Sequence, residues 1–238
     1  MKKSIGILGG MGPLATADLF RKIVPLTDAA RDNDHIRVHI DDNASIPDRT
    51  AAILSGGADP LPAMTDSLRK LEACGADCVI IPCNTAHYFL HQLQKLTEIP
   101  FLSMLETTAK TCAVRFPGKT AAVLATKGTL SAGLYQAALE KKGVPFLLPG
   151  EAERDALMRV IYDGVKAGKG PEDYRADMLS VAEALTARGA GMIIDVNLIM
   201  IIYGVDRLFD MGRTCLNVTG DIACSLCVTK WVSKKSNK

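Results

Sequence analysis

The sequence is poor in aromatic residues, which make up 5% of its 238 positions and include one tryptophan. Neither sign of charge is in marked excess, with 28 Lys and Arg against 26 Asp and Glu. Four of the lysines (Lys230, Lys234, Lys235 and Lys238) fall in the last nine residues, so the rest of the chain carries 24 basic against 26 acidic groups. That balance excludes a basic nucleic-acid footprint. Long hydrophobic runs are also missing. The longest, Met192 to Val205, is interrupted by Asp195 and Asn197 and is too short to span a bilayer. The start, Met1-Lys2-Lys3 and then Ser4–Leu8, imitates a secretory leader only briefly before it breaks into Gly9 and Gly10. Seven cysteines, an odd count without a leader, do not read as a disulfide framework. A reducing, cytoplasmic setting is the expectation. What is abundant is apolar residue, at 48%, enough to exclude disorder and to fill one large or two modest cores.

The apolar positions alternate between strand and helix patterns. Ser4–Leu8 reads as a strand entering the glycine-rich turn Gly9–Pro13, with helical spacing through Leu19, Phe20, Ile23 and Val24. Ile36–Ile40 reads as a strand and Asp41–Arg49 as a polar loop. Leu61–Cys74 has helical spacing and ends at Gly75, and Cys78–Pro82 reads as a buried strand. A further helix through Ala86, Leu90, Leu93 and Leu96 and a short strand Ile99–Leu102 follow. The fold class expected is α/β with parallel-type sheets. The pattern also repeats. Lys3–Gly9 is similar to Lys119–Ala125 at an offset of 116, and Leu68–Asp77 to Ala182–Gly191 at an offset of 114. Two similar α/β domains related by a pseudo-two-fold axis, with a site between them, are therefore expected. Their boundaries are expected at 1–101 plus 214–238 and at 102–213.

Pro82-Cys83-Asn84-Thr85-Ala86-His87 places a thiol where a strand ends and a helix is expected, at the carboxyl edge of a parallel sheet. Helix amides there favour a thiolate, Asn84 and Thr85 offer donors to a carboxylate, and His87 lies one turn on, where it could influence the thiol's proton. The competing reading is a buried structural cysteine followed by an N-capping Asn. Gly10-x-Gly12-x-x-Ala15 has a partial dinucleotide fingerprint, but the acidic partner (Asp41 or Asp42) comes late and Pro13 removes an amide. A loop whose amides approach a small anion is the alternative. Arg49 and Lys166 sit in loop-like settings, either as solvated charges or as anion ligands. Cys224 and Cys227 are spaced like a metal or redox pair, yet no second Cys/His pair completes a zinc site and packing is the simpler role.

Ile5–Thr16, Pro47–Thr50, Pro82–His87, Leu124-Ala125-Thr126-x-Gly128-Thr129 and Tyr162–Gly168 resemble the aspartate/glutamate racemase family, in its aspartate racemase branch. The likeness runs from about Ser4 to Trp231. It implies two α/β domains, a homodimer, and racemisation that uses no pyridoxal phosphate, other cofactor or metal. It implies that Cys83 is one of two acid–base thiols, that Asn84 and Thr85 bind the α-carboxylate, and that Arg49 and Lys166 hold the side-chain carboxylate. Met11 and Thr126 join the substrate-binding set on the same ground. The expected ligand is an acidic amino acid or small dicarboxylate, with no nucleic-acid or membrane partner.

One position departs from the family. Where a Gly-Cys-Thr-Glu run is expected after the strand Met192–Ile194, the chain has Asp195-Val196-Asn197-Leu198-Ile199. The repeat offset carried from Cys83 also lands on Asn197, so the second thiol is replaced by an amide, which does not exchange a proton near neutral pH. Asp195, two residues earlier, is the nearest carboxylate to stand in. The readings that follow are a racemase of aspartate or a related acidic amino acid, a one-thiol isomerase or decarboxylase, and a racemase-derived protein that binds without turnover. A nucleotide-dependent oxidoreductase is the weakest of the set.

Overall fold

The computed structural model describes residues 3–195 and 215–216. These divide into two compact units, the first ending at Met104 and the second beginning at Leu105.

In the first unit, β1 (Ser4–Leu8) is followed by α1 (Pro13–Leu26), β2 (Arg37–Asp41), α2 (Arg49–Leu54), α3 (Leu61–Ala73), β3 (Cys78–Ile80) and α4 (Leu90–Gln94). The strands form a parallel sheet in the order β2-β1-β3, with Ile5 opposite both Val38 and Cys78. Successive residues of β1 and β3 point to opposite faces, and both faces are covered. Ile5, Ile7, Cys78 and Ile80 pack with Leu19 and Ile23 of α1. Leu8, Val79 and Ile81 pack with Met64, Leu68 and Leu71 of α3 and with Leu93 of α4. The strand expected to reach Pro82 stops at Ile80, and the one expected at Ile99–Leu102 is a single bridge from Phe101 to Val79. Pro100 has no N–H with which to lengthen that ladder.

The second unit runs through α5 (Met104–Arg115, which begins on the last residue of the first unit), β4 (Ala121–Leu124), α6 (Lys127–Ser131), α7 (Leu134–Glu140), β5 (Phe146–Leu147), α8 (Glu151–Arg159), α9 (Arg175–Ala187), β6 (Met192–Asp195) and β7 (Cys215–Leu216). Its parallel sheet has the order β5-β4-β6-β7. Ala122, Leu124 and Ile193 pack with Leu157 of α8 and Met178, Val181 and Leu185 of α9. The alternate residues Ala121, Val123, Met192 and Ile194 are buried as well.

The repeat found in the sequence is built into the ladders. Ile5 pairs with Cys78 as Ala121 pairs with Met192, and Val79 bridges Phe101 as Ile193 pairs with Cys215. The strand beyond β3 is thus the counterpart of β7, reduced to one residue.

Leu71 and Leu185 are counterparts in this repeat and both are buried. Truncating either to Ala is expected to cost about 2–5 kcal/mol, from lost transfer free energy plus a cavity. Urea denaturation of Leu71→Ala and Leu185→Ala checks this, and a loss under about 1 kcal/mol in either would show that its unit is not held by that packing.

Candidate active site

The segments that follow β1 and β3 carry Met11, Cys83, Asn84 and Thr85, half of the eight site residues expected. After β1 the chain turns through Gly9–Gly12. Gly10 has φ +85°, and a Cβ there would lie 2.2 Å from the backbone carbon of Asn43. Only glycine fits that position. The Gly10 N–H donates to Thr16 Oγ1 at 3.0 Å, and the Gly9 N–H donates to the Asp41 carbonyl at 2.9 Å. The loop is therefore pinned from both α1 and β2. Thr16 was not singled out by the sequence, although a hydroxyl four residues after Gly12 is the signal that could have identified it.

Arg49 is not in a loop and is not solvated. It opens α2, which Asp48 caps by accepting from the Ala51 N–H at 2.8 Å, and it is 6% exposed. A guanidinium in such a place must find acceptors. Nη1 donates to the carbonyls of Ile46 (3.1 Å) and Pro47 (2.9 Å), and Nη2 donates to the Met11 carbonyl at 3.2 Å. Arg49 and Met11, both proposed from the sequence, are thus brought together. The buried Arg49 Nε has no hydrogen-bond partner among the described residues. Met11 itself is buried in the core against α3.

Cys83 is a free thiol, partly exposed, three residues beyond the end of β3. The segment after it is not the α-helix expected. Thr85–Phe89 is a short 3₁₀ helix, and α-helical geometry begins only at Leu90. Asn84 precedes that 3₁₀ segment without a side-chain capping bond. The aligned dipole available to Cys83 is correspondingly short. Asn84 and Thr85 are both buried beside it in sequence.

His87 does not act on the thiol's proton. Its Nδ1 lies 2.9 Å from the carbonyl oxygen of Cys83, and its Nε2 lies 3.3 Å from the N–H of Met104. A peptide N–H can only donate, so Nε2 accepts, the ring proton sits on Nδ1, and Nδ1–H donates to the Cys83 carbonyl. Burial holds the ring's pKa down at about 4, outweighing the carbonyls of Cys83 and Asn84 that favour the charged form. Both ring nitrogens are committed to backbone.

In the second unit, Thr126 follows β4 and caps α6, accepting from the Thr129 N–H at 3.2 Å. Its counterpart in the repeat is Gly10. Lys166 is exposed and closes a π-helical turn, Val160–Val165, that continues α8 rather than lying in a loop. Its Nζ stands 3.9 Å from the Tyr162 ring centroid. Gly164 in that turn lets Tyr174 approach, since a Cβ there would lie 2.6 Å from the Tyr174 ring. Asp195 ends β6, opposite Leu124, and is buried. The buried Tyr135 and Tyr174 both feel its charge, which adds to the main effect of burial in raising their hydroxyl pKa values. Asn197, Cys224 and Cys227 lie outside the described residues. Among the described residues, no group of three or more His, Cys, Asp or Glu side chains is placed to hold a metal ion.

Residues 8–194, from β1 to β6, match the Asp/Glu/hydantoin racemase family. The chain belongs to that family. Racemase-family structures share its fold: the aspartate racemase of Picrophilus torridus superposes with a TM-score of 0.82 at 25% identity, over 97% of this chain and 94% of that one. An aspartate racemase homologue from Pyrococcus horikoshii gives 0.71 at 20% identity over the whole of both chains. A glutamate racemase from Francisella tularensis, solved with D-glutamate, gives 0.67 at 16% identity, covering 98% of this chain and 82% of that one. The broad-specificity amino-acid racemase RacX of Bacillus subtilis is 34% identical over 144 residues, 58% of this chain and 61% of that protein. The glutamate racemase of Aquifex pyrophilus is 29% identical over 111 residues, 42% of this chain and 44% of its own length. The chain thus spans less than two thirds of these two relatives where it matches them. Residues 180–231 also match the sodium:dicarboxylate symporter family. The described part of that segment is the later part of α9, with β6 and β7, which belong to the second unit's sheet, and no helix among the described residues is long and apolar enough to cross a membrane.

His87 carries a pH signature. Its pKa is lower in the folded chain (about 4) than in the unfolded one (6.5), so between those values only the unfolded state takes the proton. Stability is expected to be unaffected by His87 above about pH 6.5 and to fall by about 3 kcal/mol on acidification to pH 4. Urea midpoints of wild type and His87→Gln across this range isolate the term, since acid losses from carboxylates are common to both. Parallel pH profiles would show that His87 titrates normally.

Proposed function

We propose that this protein racemises aspartate or a related acidic amino acid without a cofactor, with Cys83 as one acid–base thiol. The observation that carries the proposal is a partly exposed free thiol at the carboxyl end of β3, in a chain of the amino-acid racemase family. Loosening a Cα–H bond needs a base within reach of that carbon and electrostatic stabilisation of the developing carbanion. In this reading the Cys83 thiolate takes the α-proton, and the electron pair left on Cα delocalises into the carboxylate. Asn84 and Thr85 hold that α-carboxylate. Arg49 and Lys166 hold the side-chain carboxylate, with Met11 and Thr126 completing the substrate-binding set. For Arg49 this means that the Nε–H or the second N–H of Nη2 turns to substrate, because three of the four terminal N–H groups already serve Ile46, Pro47 and Met11.

Racemisation also needs a proton delivered to the other face of Cα. The counterpart of Cys83 in the repeat is Asn197, whose amide supplies none. Asp195, a buried carboxylate at the end of β6, or water serves there instead. That substitution is the observation behind a second reading, in which the protein binds acidic amino acids without turnover or carries out one-faced chemistry on a related dicarboxylate. A homodimer in the cytoplasm is part of the first reading.

Loss of the Cα proton in deuterated water, followed by NMR with L- and D-aspartate, separates these cases. Exchange and interconversion of both enantiomers are expected, and both should disappear in Cys83→Ala. Exchange of one enantiomer alone indicates a single working face, whereas saturable binding without exchange supports the binding protein. Asn197→Cys is expected to raise the racemisation rate by about 10²-fold or more, on the scale of one acid–base group. A folded Asn197→Cys variant with an unchanged rate would sink the equivalence of positions 83 and 197.

A further inference from the structure

We propose that His87 is a positioning residue for Cys83, acting through the backbone rather than through the thiol. The claim rests on the assignment of Cys83 above and assigns the residue that holds it in place.

Three observations carry it. The strand that delivers Cys83 stops at Ile80, so no β-ladder fixes the residue's main chain. The segment that follows is a 3₁₀ turn with no side-chain cap, so no α-helical ladder fixes it either. Between the two, the His87 ring accepts from the Met104 N–H and donates to the Cys83 carbonyl. Met104 is the first residue of α5 and the last of the first unit, so one side of the ring is anchored to a helix start and the other to the thiol-bearing residue.

The arrangement works in one protonation state and one tautomer. Imidazolium would set an N–H against the Met104 N–H, and the Nε2–H tautomer would oppose donors at one end and acceptors at the other. Burial supports the neutral ring required. Ala86 and Phe89, one residue before and two after His87, are buried in one apolar cluster with Met64, Leu68 and Leu93. A ring sealed in this way cannot trade protons with substrate, and this separates a positioning role from a catalytic one. Its effect on chemistry is geometric, because proton abstraction from carbon falls steeply when the base is displaced by about 1 Å.

Asn and Gln divide the two bonds. The Asn amide nitrogen occupies the place of Nδ1 and retains the donor to the Cys83 carbonyl. The Gln amide oxygen occupies the place of Nε2 and retains the acceptor for Met104. His87→Gln is expected to lower kcat for Cα-proton exchange on the order of 10²-fold with KM within about threefold, and to change the rate at which iodoacetamide alkylates Cys83, read on the Cys83 peptide by mass spectrometry. His87→Asn is expected to recover most of both. Equal kcat losses in the two variants, or wild-type values in His87→Gln, would overturn the proposal. If neither variant folds, long-range ¹H–¹⁵N NMR of histidine-labelled wild type decides it: the Nδ1–H tautomer persisting between pH 5.5 and 8 supports the proposal, and the Nε2–H tautomer or imidazolium refutes it. Failure here is distinct from failure of the racemase reading, which shows as Cys83→Ala retaining exchange whatever the His87 variants do.

Discussion

Each unit answers to the need of a parallel sheet to be covered on both faces. Parallel strands cannot be joined by hairpins, so every connection crosses over and lays a helix on one face or the other. β1 and β3 therefore carry apolar side chains on both sides, with α1 beneath and α3 and α4 above. The same necessity makes all strands run one way and collects the loops that follow them along one edge. The Gly9–Gly12 turn, the start of α2 at Asp48 and Arg49, and Cys83 follow β1, β2 and β3 for this reason, although they are far apart in sequence.

That edge is held by buried polar groups used as struts. Arg49 spends its terminal nitrogens on three carbonyls of two loops, Thr16 takes an amide of the glycine turn, and His87 spans two backbone groups. A backbone carbonyl at a strand end has lost its ladder and must be satisfied otherwise. Charged and aromatic side chains do so here from within the core. The result is a set of loops without regular structure that are nonetheless held in place from the core.

The sequence made the strands and the repeat legible, because apolar runs such as Ser4–Leu8 and helix–glycine–strand units such as Leu68–Val79 leave a periodic trace. It also located the thiol. It misread the settings of Arg49 and Lys166, since Pro47-Asp48 and Asp163-Gly164 both read as loop punctuation. In the fold, Asp48 is a helix cap and Gly164 is a point of close contact with Tyr174. The 3₁₀ segment after Cys83 left no signal, and the spacing of His87 from Cys83 pointed to the thiol, whereas the ring meets the carbonyl. Asn197, which the repeat and the family likeness both single out, belongs to a stretch outside the described residues.

The ladder registers record where the two copies have been free to drift. Three strands of each sheet keep their partners at nearly matching intervals: Val79–Phe101 and Ile193–Cys215 are spaced alike, and Ile5–Cys78 and Ala121–Met192 differ by two residues. The edge partners do not: Ile5 faces Val38, whereas Ala121 faces Phe146, reached by a shorter path. In that shorter path one long helix, α1, has become two, α6 and α7. A strand between two neighbours cannot gain or lose a residue without breaking both ladders, whereas an edge strand answers to one. The crossover to an edge strand is tied to the sheet by one ladder only, and it is there, between β1 and β2 and between β4 and β5, that the two copies differ most in length.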